Sequence, residues 1–242
     1  MPSDALSELA SSGTLRAAIN MANTLLVTGS TSAGDPEGVA PEMARAIANR
    51  LCVEVSYVPF ASPGELADAV DNGLWDIGMI GAEPARAERI AFSAAYVEIE
   101  ATYLVSDGAP LTSVEDVDRN GVRIAVSGRS AYDLYLTRSL EHAELFRAQG
   151  VSGAAELFVR DELDALAGLR PALAAEAEKL PGTRVLNGHF TTIQQAVGTS
   201  RENEAGAAFL AEFVEEVKAD GLVERLIERH GVAGRLSVAP PA

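Results

Sequence analysis

Strand-like and helix-like stretches alternate along most of this chain, and no other feature of the sequence limits the fold as strongly. A strand-like stretch over 15–19 leads through a polar, glycine-containing loop to a helix-like stretch over 38–51, where apolar residues recur at four-residue steps. Units of this kind build mostly parallel sheets flanked by helices. The sequence therefore predicts an α/β protein.

The predicted elements fall into two groups. Asp107, Gly108 and Pro110 interrupt the alternation, which then resumes over a shorter stretch, so we predict a second, smaller lobe. A chain of 242 residues with 48% apolar residues can bury the cores of two lobes. The predicted strands cover 15–19, 53–60, 75–80, 96–105, 122–126, 163–167 and 192–197, and the predicted helices cover 38–51, 130–140, 154–162, 171–179 and 204–219, with a short helix opened by Ser62 and Pro63.

The net charge of -16 argues against several classes of partner. Lys and Arg number 19 against 35 Asp and Glu. Such a chain repels phosphate backbones and anionic lipids, so we expect no nucleic-acid partner. No stretch approaches the roughly 18 uninterrupted apolar residues of a membrane span, so we expect no membrane insertion.

Residues suited to metal binding or nucleophilic chemistry are sparse. The single cysteine, Cys52, excludes an internal disulfide, and its apolar neighbours predict a buried thiol. The histidines His142, His189 and His230 lack the paired spacing of metal ligands, and charged neighbours predict that His142 and His230 lie at the surface. Glycine-rich phosphate and dinucleotide motifs are missing as well. We expect neither a metal nor a cofactor.

The N-terminal segment predicts where the protein is found. An export signal needs a basic start, an apolar stretch and a small-residue cleavage site, whereas this segment carries Asp4 and Glu8 and is helix-like. As written, the sequence predicts a cytoplasmic protein. If it is the remainder of a longer sequence, the prediction becomes periplasmic.

Several motifs occur together in a set order and spacing. The most specific runs from Pro84 to Arg86 and continues through 90–93 to Tyr96, matching the pattern P-x-R-x-x-x-I-x-F-S-x-x-Y. With these motifs the chain resembles the solute-binding proteins of polar-amino-acid ABC transporters over nearly its whole length. The other matching pieces are Gly-Thr-Leu-Arg at 13–16, the helix-like stretch at 38–50 and Trp-Asp-Ile at 75–77.

This resemblance implies the type II periplasmic-binding-protein fold, in which two α/β lobes joined by two hinge strands close on a ligand in the cleft between them. Lobe 1 would comprise 1–105 plus 189–242, and lobe 2 would comprise 106–188. The implied function is that of a transporter-type solute-binding protein for a small carboxylate-bearing solute, an amino acid or a related organic acid. An ABC permease is the implied partner, and we expect a monomer.

The resemblance also implies two groups of ligand-binding residues. In the family, an arginine at the position of Arg86 clamps the ligand carboxylate, because a planar guanidinium forms two parallel bonds to it. On the opposite lobe, the family's hydroxyl-bearing turn at a helix start corresponds here to Ser127, Gly128, Arg129 and Ser130. Unpaired N–H groups at a helix start favour an anion. Ser130 is a ligand contact, a plain N-cap, or both.

Three departures from the family pattern fall on ligand-contacting positions. Gly81 and Glu83 replace hydroxyl-bearing residues before the arginine, so part of the carboxylate cradle is missing. Leu169 stands at about the position of the aspartate that accepts the ligand's α-amino group, and an aliphatic side chain cannot pair an ammonium. Asn23 and Leu26 replace aromatic residues that sandwich the ligand side chain. We therefore expect common α-amino acids to bind weakly unless another acid substitutes.

Three glutamates are candidates for that substitution. Glu98 and Glu100 lie two residues apart on a predicted strand, hence on one face, and Glu83 is close to Arg86. In one arrangement that face lines the cleft, where two carboxylates could bind an amine or hydroxyls. The alternative is that it faces solvent. Further candidate contacts are Asn20 and Asn23 at the end of the first strand, Tyr132 and Asp133 after Ser130, and Gln194 and Gln195 near the return strand.

Two other functions stay open beside binding. Some proteins of this fold, the cyclohexadienyl dehydratase group, resemble solute-binding proteins but carry out a lyase reaction in the same cleft. Such an enzyme needs a shielded acid near the leaving group, and Glu100 is the weak catalytic candidate. A cytoplasmic ligand-sensing subunit would use the same closure to signal to a partner. We expect binding without catalysis.

Overall fold

The computed structural model describes residues 3–242; Met1 and Pro2, which the predicted lobe 1 includes, lie outside the described residues. The chain forms two units: unit 1 comprises Met1–Glu98 and Gln194–Ala242, and unit 2 comprises Ile99–Ile193. The boundaries predicted at 105 and 189 both fall inside unit 2 by this division. Unit 2 is therefore an insertion into the sequence of unit 1.

Helices and strands alternate as the sequence predicts, and the predicted α/β fold class is confirmed. In chain order the elements are α1 (Ser3–Leu9), β1 (Thr14–Asn20), β2 (Gly29–Ser30), β3 (Pro36–Glu37), α2 (Val39–Leu51), β4 (Glu54–Phe60), α3 (Pro63–Asp68), β5 (Ile77–Gly81), α4 (Pro84–Ala87), β6 (Ile90–Ser106), β7 (Arg123–Ser127), α5 (Ala131–Ser139), β8 (Glu144–Ala148), α6 (Gly150–Arg160), β9 (Ala165–Leu169), α7 (Arg170–Lys179), β10 (Thr183–Val185), β11 (Thr191–Ser200), α8 (Glu204–Ala219), α9 (Leu222–Arg229) and β12 (Ser237–Val238). Short 3-10 turns cover Ala69–Asn72 and Val114–Asp116.

Parallel strands form the centre of unit 1. β1 lies between β4 and β5 and runs parallel to both, with Ala17 opposite Tyr57 on one side and Ile77 on the other. β11 returns antiparallel to β5 and brings Gln195 opposite Gly81. The carboxyl ends of β1 and β5 therefore meet at one edge of the unit 1 sheet, where α/β folds place their ligand-binding loops.

Helix α2 covers this sheet with the apolar stripe that the sequence predicts. Val39, Met43, Ile47 and Leu51 are all buried. Gly38 precedes the helix with a φ of 146°, and a Cβ there would lie 2.2 Å from the carbonyl oxygen of Leu26. Only glycine lets the loop after β1 pass so close to the start of α2.

Unit 2 has its own parallel core. β7 lies between β9 and β8, with Ala125 opposite Leu166 and Ser127 opposite Ala148. The second half of β6 runs antiparallel to β9 and pairs Ala101 with Leu169. Buried apolar side chains from these strands and from α5 form the core of the unit. The carboxyl ends of β7, β8 and β9 thus share one edge of the unit 2 sheet.

The structure differs from the sequence-based elements at several points. β8 and α9 were not predicted, and β6 begins at Ile90 rather than at residue 96. The prediction of a buried Cys52 is wrong, because this thiol is exposed. Cys52 caps the end of α2 in a left-handed conformation, with a φ of 56°, beyond the last buried position of the helix.

Candidate functional site

Arg86 is a buried cation at the carboxyl edge of the unit 1 sheet. It lies in α4, directly after β5, and only 4% of the residue is exposed. Its Nη1 donates a hydrogen bond to the carbonyl oxygen of Gly81 at 2.7 Å. A buried guanidinium is costly unless its N–H groups have partners, and the Gly81 carbonyl supplies one of them. The predicted clamp is therefore turned away from bulk water and fixed to the strand end.

Glu83 lies between Gly81 and Arg86 and is buried as well. Its backbone is extended, and its carbonyl oxygen accepts the N–H groups of Arg86 and Ala87, which begins the turn of α4. Pro84 at the start of α4 suits a position where the N–H has no helical partner. This tight turn sets the Arg86 side chain back over Gly81.

Asn20 and Asn23 lie at the same edge, in the loop that leaves β1. The Oδ1 atom of Asn20 accepts the N–H of Ala22 at 3.2 Å, and that of Asn23 accepts the N–H of Leu25 at 3.2 Å. Both amides therefore shape the loop through their oxygen atoms. We call the group formed by Asn20, Asn23, Gly81, Glu83 and Arg86 the unit 1 edge.

The predicted turn in unit 2 connects β7 to α5. Ser127 is buried at the end of β7, and the N–H of Gly128 donates to the carbonyl oxygen of Ala148 at 2.9 Å. Arg129 is exposed and adopts a left-handed conformation with a φ of 62°. Ser130 is the N-cap of α5, and its Oγ accepts the N–H of Asp133 at 3.1 Å. We call residues 127–130 the unit 2 loop.

Tyr132 adds a third hydroxyl to the two serines of the unit 2 loop. The residue is buried in the first turn of α5. Burial raises the pKa of Tyr132, and hydrogen bonds with Ser130 and Ser127 act in the opposite direction. The phenol therefore lies within hydrogen-bonding reach of each serine hydroxyl, and all three groups are neutral donors and acceptors.

Asp133 holds the unit 2 loop in shape. Its Oδ2 accepts the backbone N–H of Arg129 at 2.7 Å, and its Oδ1 accepts Nε of Arg147 at 2.9 Å. The Asp133 side chain is only 4% exposed. Arg147 lies on β8, which the sequence analysis missed, so this supporting ion pair was missed with it. Asp133 therefore positions the loop and is committed to partners inside unit 2.

The three glutamates proposed as ammonium acceptors are all engaged. Glu100 Oε2 lies 2.5 Å from Nε of Arg170, and Oε1 lies 3.4 Å from Nδ1 of His189. Glu98 accepts a hydrogen bond from Nε2 of Gln194 at 2.8 Å. The residue Glu83 also takes part in an interaction with another group of the chain. Arg170, which also donates to the carbonyl oxygens of Leu186 and Gly188, is a contact that the sequence analysis did not consider.

Leu169 lies at the carboxyl edge of unit 2. It ends β9 and is the N-cap of α7, with no side-chain cap hydrogen bond. The parallel register of β7 and β9 pairs Ala125 with Leu166, which brings the end of β9 alongside the start of the unit 2 loop. An apolar side chain, partly buried against the unit 2 core, therefore occupies this helix start.

His142 and His230 were both predicted to lie at the surface. His142 is exposed as predicted, whereas His230, at the end of α9, is partly exposed, with 13% of its side chain accessible. The Nε2 atom of His230 lies 2.8 Å from Oε1 of Glu42, because the end of α9 packs beside α2.

Among residues 3–242, no group of three or more His, Cys, Asp or Glu side chains is placed to hold a metal ion. Within the same residues, no helix has the length and apolar character needed to cross a lipid bilayer.

With two α/β units, each of which has a loop-bearing sheet edge, the chain has the type II periplasmic-binding-protein fold. A family model, "Bacterial extracellular solute-binding proteins, family 3", matches residues 5–233. The match spans nearly the whole chain. This chain therefore belongs to family 3 of the bacterial extracellular solute-binding proteins.

Several solved structures have the same fold as this chain. An ancestral amino acid-binding protein described as a precursor of cyclohexadienyl dehydratase is 23% identical, with a TM-score of 0.74, covering 93% of this chain and 97% of that one. An amino acid ABC transporter substrate-binding protein from Streptococcus pneumoniae bound to L-arginine is 20% identical, with a TM-score of 0.73, covering 92% and 96%. A cysteine-binding protein from Campylobacter jejuni is 16% identical, with a TM-score of 0.75, covering 93% and 92%. A comparison with curated proteins found no match.

Proposed function

We propose that this chain binds a small organic acid as a transporter-type solute-binding protein, with the carboxylate of the acid held by Arg86. The observation that carries the proposal is the buried guanidinium of Arg86 at the carboxyl edge of parallel strands, in a member of a solute-binding family. Desolvating a guanidinium is expensive, and this edge of an α/β sheet is where ligands bind. A ligand carboxylate can accept two parallel hydrogen bonds from a guanidinium.

The unit 2 loop has a different, neutral set of candidate binding groups. Ser127, Ser130 and Tyr132 offer hydroxyls, and the start of α5 offers backbone N–H groups. Hydroxyls can donate to or accept from a ligand, whereas a guanidinium only donates. We therefore propose charge recognition for Arg86 in unit 1, and neutral hydrogen bonding for the loop in unit 2.

The similar structures support a carboxylate-bearing solute. One of them is bound to L-arginine and another is a cysteine-binding protein. The α-carboxylate is a group that these two ligands share. We further propose that the protein is a monomer that works with an ABC permease, the partner implied by the family resemblance.

We propose binding without catalysis for this chain. The lyase alternative gains some support from the similar structure described as a precursor of cyclohexadienyl dehydratase. Its candidate acid, Glu100, is ion-paired with Arg170, and the Glu100 side chain is 46% exposed. A general acid for a lyase reaction works best when it is shielded from water, and Glu100 does not fit that requirement.

Arg86→Ala tests the proposal directly. The variant should lose about 1.5 to 5 kcal/mol of binding free energy, the range expected when a charge-assisted hydrogen bond is removed from a shielded site. That loss corresponds to roughly tenfold to several thousandfold in Kd. A thermal-shift screen of amino, hydroxy and keto acids first identifies the best binder, and calorimetry then measures its affinity for both proteins.

Arg89→Ala is the matched control. Arg89 lies three residues further on and forms exposed ion pairs with Asp68 and Asp71, so its removal should leave the affinity unchanged. Circular dichroism checks that each variant is folded, and Arg86→Lys, which keeps the charge, replaces the alanine variant if that fails to fold. Equal affinity of wild type and the Arg86 variant would refute the assignment.

A further inference from the structure

Three Asn-Gly dipeptides lie on the surface of the molecule. In such a pair the backbone nitrogen of the glycine can attack the side-chain carboxamide of the asparagine, because glycine has no Cβ to crowd that nitrogen. Both residues of every pair are exposed, and each glycine has a positive φ. The pairs are Asn72-Gly73, Asn120-Gly121 and Asn187-Gly188. Hydrogen bonding of the glycine N–H distinguishes them, since a nitrogen whose N–H is held by an acceptor is less able to attack.

Gly73 differs from the other two glycines because its N–H is hydrogen-bonded. It donates to the carbonyl oxygen of Val70 at 3.2 Å, at the end of a 3-10 turn. The N–H groups of Gly121 and Gly188 have no hydrogen-bond acceptor among residues 3–242. We therefore expect the pair that contains Gly73 to react more slowly than the other two pairs.

The pair Asn187-Gly188 lies in a short loop of unit 2 that is fixed at both ends. Leu186 donates its N–H to the carbonyl oxygen of Tyr103 at 2.8 Å, and Phe190 donates its N–H to that of Ala101 at 3.0 Å. Between these two bonds the asparagine and the glycine are exposed. The loop therefore presents its asparagine to water while its ends stay joined to β6.

The carbonyl groups on either side of Asn187 hold two other side chains. The carbonyl oxygen of Leu186 accepts Nη1 of Arg170 at 3.2 Å, and that of Gly188 accepts Nη2 of the same guanidinium. Thr102, a fully buried residue on β6, also donates from Oγ1 to the carbonyl oxygen of Gly188 at 2.9 Å. The main chain through Asn187 therefore sets the distance between the two acceptors of Arg170.

From this loop we infer that Asn187 is a site of spontaneous deamidation. The nitrogen of Gly188 attacks Cγ of Asn187, so that an N–Cγ bond forms and the Cγ–Nδ2 bond breaks. The side-chain nitrogen leaves as ammonia and takes the proton of the Gly188 N–H. Water then opens the resulting succinimide ring, which gives aspartate if it cleaves the new N–Cγ bond and isoaspartate if it cleaves the original peptide bond. This inference is independent of the proposed function.

The two products should affect Arg170 differently. Aspartate adds a negative charge to the loop but keeps the length of the main chain. Isoaspartate carries the main chain through the former side chain and lengthens it by one methylene group, which changes the spacing of the carbonyl oxygens of Leu186 and Gly188. Arg170 should then lose at least one of its two acceptors, and the loop should loosen.

Incubation of the full chain in mildly alkaline buffer tests the inference, because base favours attack by the glycine nitrogen. Peptide mass spectrometry follows the exchange of NH2 for OH at the three asparagines, and labelling by an isoaspartate methyltransferase identifies the isoaspartate product. Asn187 should convert about fivefold faster than Asn72, the factor expected from one ordinary hydrogen bond at Gly73. Conversion of Asn187 that is no faster than that of Asn72 would overturn the inference.

The same chain unfolded in urea is the first control, since all three glycine N–H groups then face solvent. The conversion rates should converge there. A ratio of the Asn187 rate to the Asn72 rate that is the same in the folded and unfolded chains would refute control of the site by the structure. Asn187→Gln is the second control: it keeps the amide, but its longer side chain cannot form the succinimide ring, so modification at this position should be lost.

Hydrogen exchange tests the effect on the loop. In the isoaspartate fraction the N–H groups of Leu186 and Phe190 should exchange at least about fivefold faster than in the unmodified chain, because their bonds to β6 weaken with the loop. Asn187→Asp adds the charge without the methylene group and should leave both exchange rates near those of wild type. Equal exchange in the isoaspartate and unmodified chains would refute the predicted loosening around Arg170.

Discussion

The carboxyl edges of the two units contain different kinds of polar group, and each unit stabilises its groups differently. The unit 1 edge contains a buried full charge, Arg86, tied to the carbonyl oxygen of Gly81. The unit 2 loop contains neutral hydroxyls, and its shape depends on an ion pair behind it, between Asp133 and Arg147. We therefore propose that charge acts on the ligand in unit 1, whereas in unit 2 the ion pair stabilises the protein. Substitutions can separate these two uses of charge.

Asp133→Asn should have the largest effect on unit 2. The variant removes the ion pair with Arg147 and leaves a nearly buried amide with poorer partners. The free energy of unfolding should therefore fall by about 1 to 3 kcal/mol. Urea denaturation, followed by hydrogen exchange of unit 2 peptides, measures the loss. Asp161→Asn, at an exposed acid paired with the adjacent Arg160, is the control. Equal stability of Asp133→Asn and wild type would contradict a positioning role for Asp133.

Ser130→Ala should have a smaller effect, which consists of a loss of stability and a loss of ligand affinity. Loss of the N-cap hydrogen bond to Asp133 should cost about 1 kcal/mol of unfolding free energy. Affinity for the best-bound acid should fall by less than about tenfold, because a neutral hydrogen bond contributes less than a charged one. Ser139→Ala, at the end of the same helix, is the control. A larger affinity loss in Ser130→Ala than in Arg86→Ala would reverse the comparison between the units.

Acidification should lower the stability of unit 2 because it protonates Asp116. This is the smallest effect that we expect. Hydrogen bonds from the side chain and backbone of Thr112 and from the backbone of Ser113 lower the pKa of Asp116 to about 2. A carboxyl whose pKa is lower in the folded state stabilises the fold above its unfolded pKa, and this contribution is lost as pH falls from 3.8 toward 2. Asp116→Asn should therefore flatten the pH dependence of unit 2 stability within that window.

Trp75 makes the acid experiment specific for each unit. It is the single tryptophan of the chain, is buried in unit 1, and donates from its indole nitrogen to the carbonyl oxygen of Leu66 at 3.0 Å. Its fluorescence reports on unit 1, while hydrogen exchange of peptides containing Asp116 reports on unit 2. An identical pH dependence of unit 2 in wild type and Asp116→Asn would contradict the prediction.

Much of the fold was predictable because its apolar periodicity is strong. α8 has the predicted bounds, and the buried stripe of α2 follows the four-residue steps in the sequence. α9 could have been found by the same reasoning, since Val223, Leu226 and Ile227 are buried at helical spacing. β8 could not, because this strand pairs with β7 alone and its half-exposed residues show no clean alternation.

The candidate site was predictable only where a local motif identified it. Arg86 and Ser130 stand in short motifs, so sequence reasoning located both. The partners of Asp133 and Glu100 lie on other elements, Arg147 on β8 and Arg170 at the start of α7. The spacing of residues along the sequence does not predict contacts between elements that become neighbours only through the order of strands in the sheet. The commitment of these acids to arginines therefore became visible only in the structure.

The discontinuous course of unit 1 has a consequence for biosynthesis. β5 pairs with residues 195–198 of β11, yet all of Ile99–Ile193 is translated between these two paired segments. While the ribosome makes unit 2, one edge of β5 lacks the neighbour that will cover it, and such edges attract other chains. The inserted unit can fold first, and completion of the unit 1 sheet, whose edge lies beside Arg86, must wait until residues 194–198 emerge.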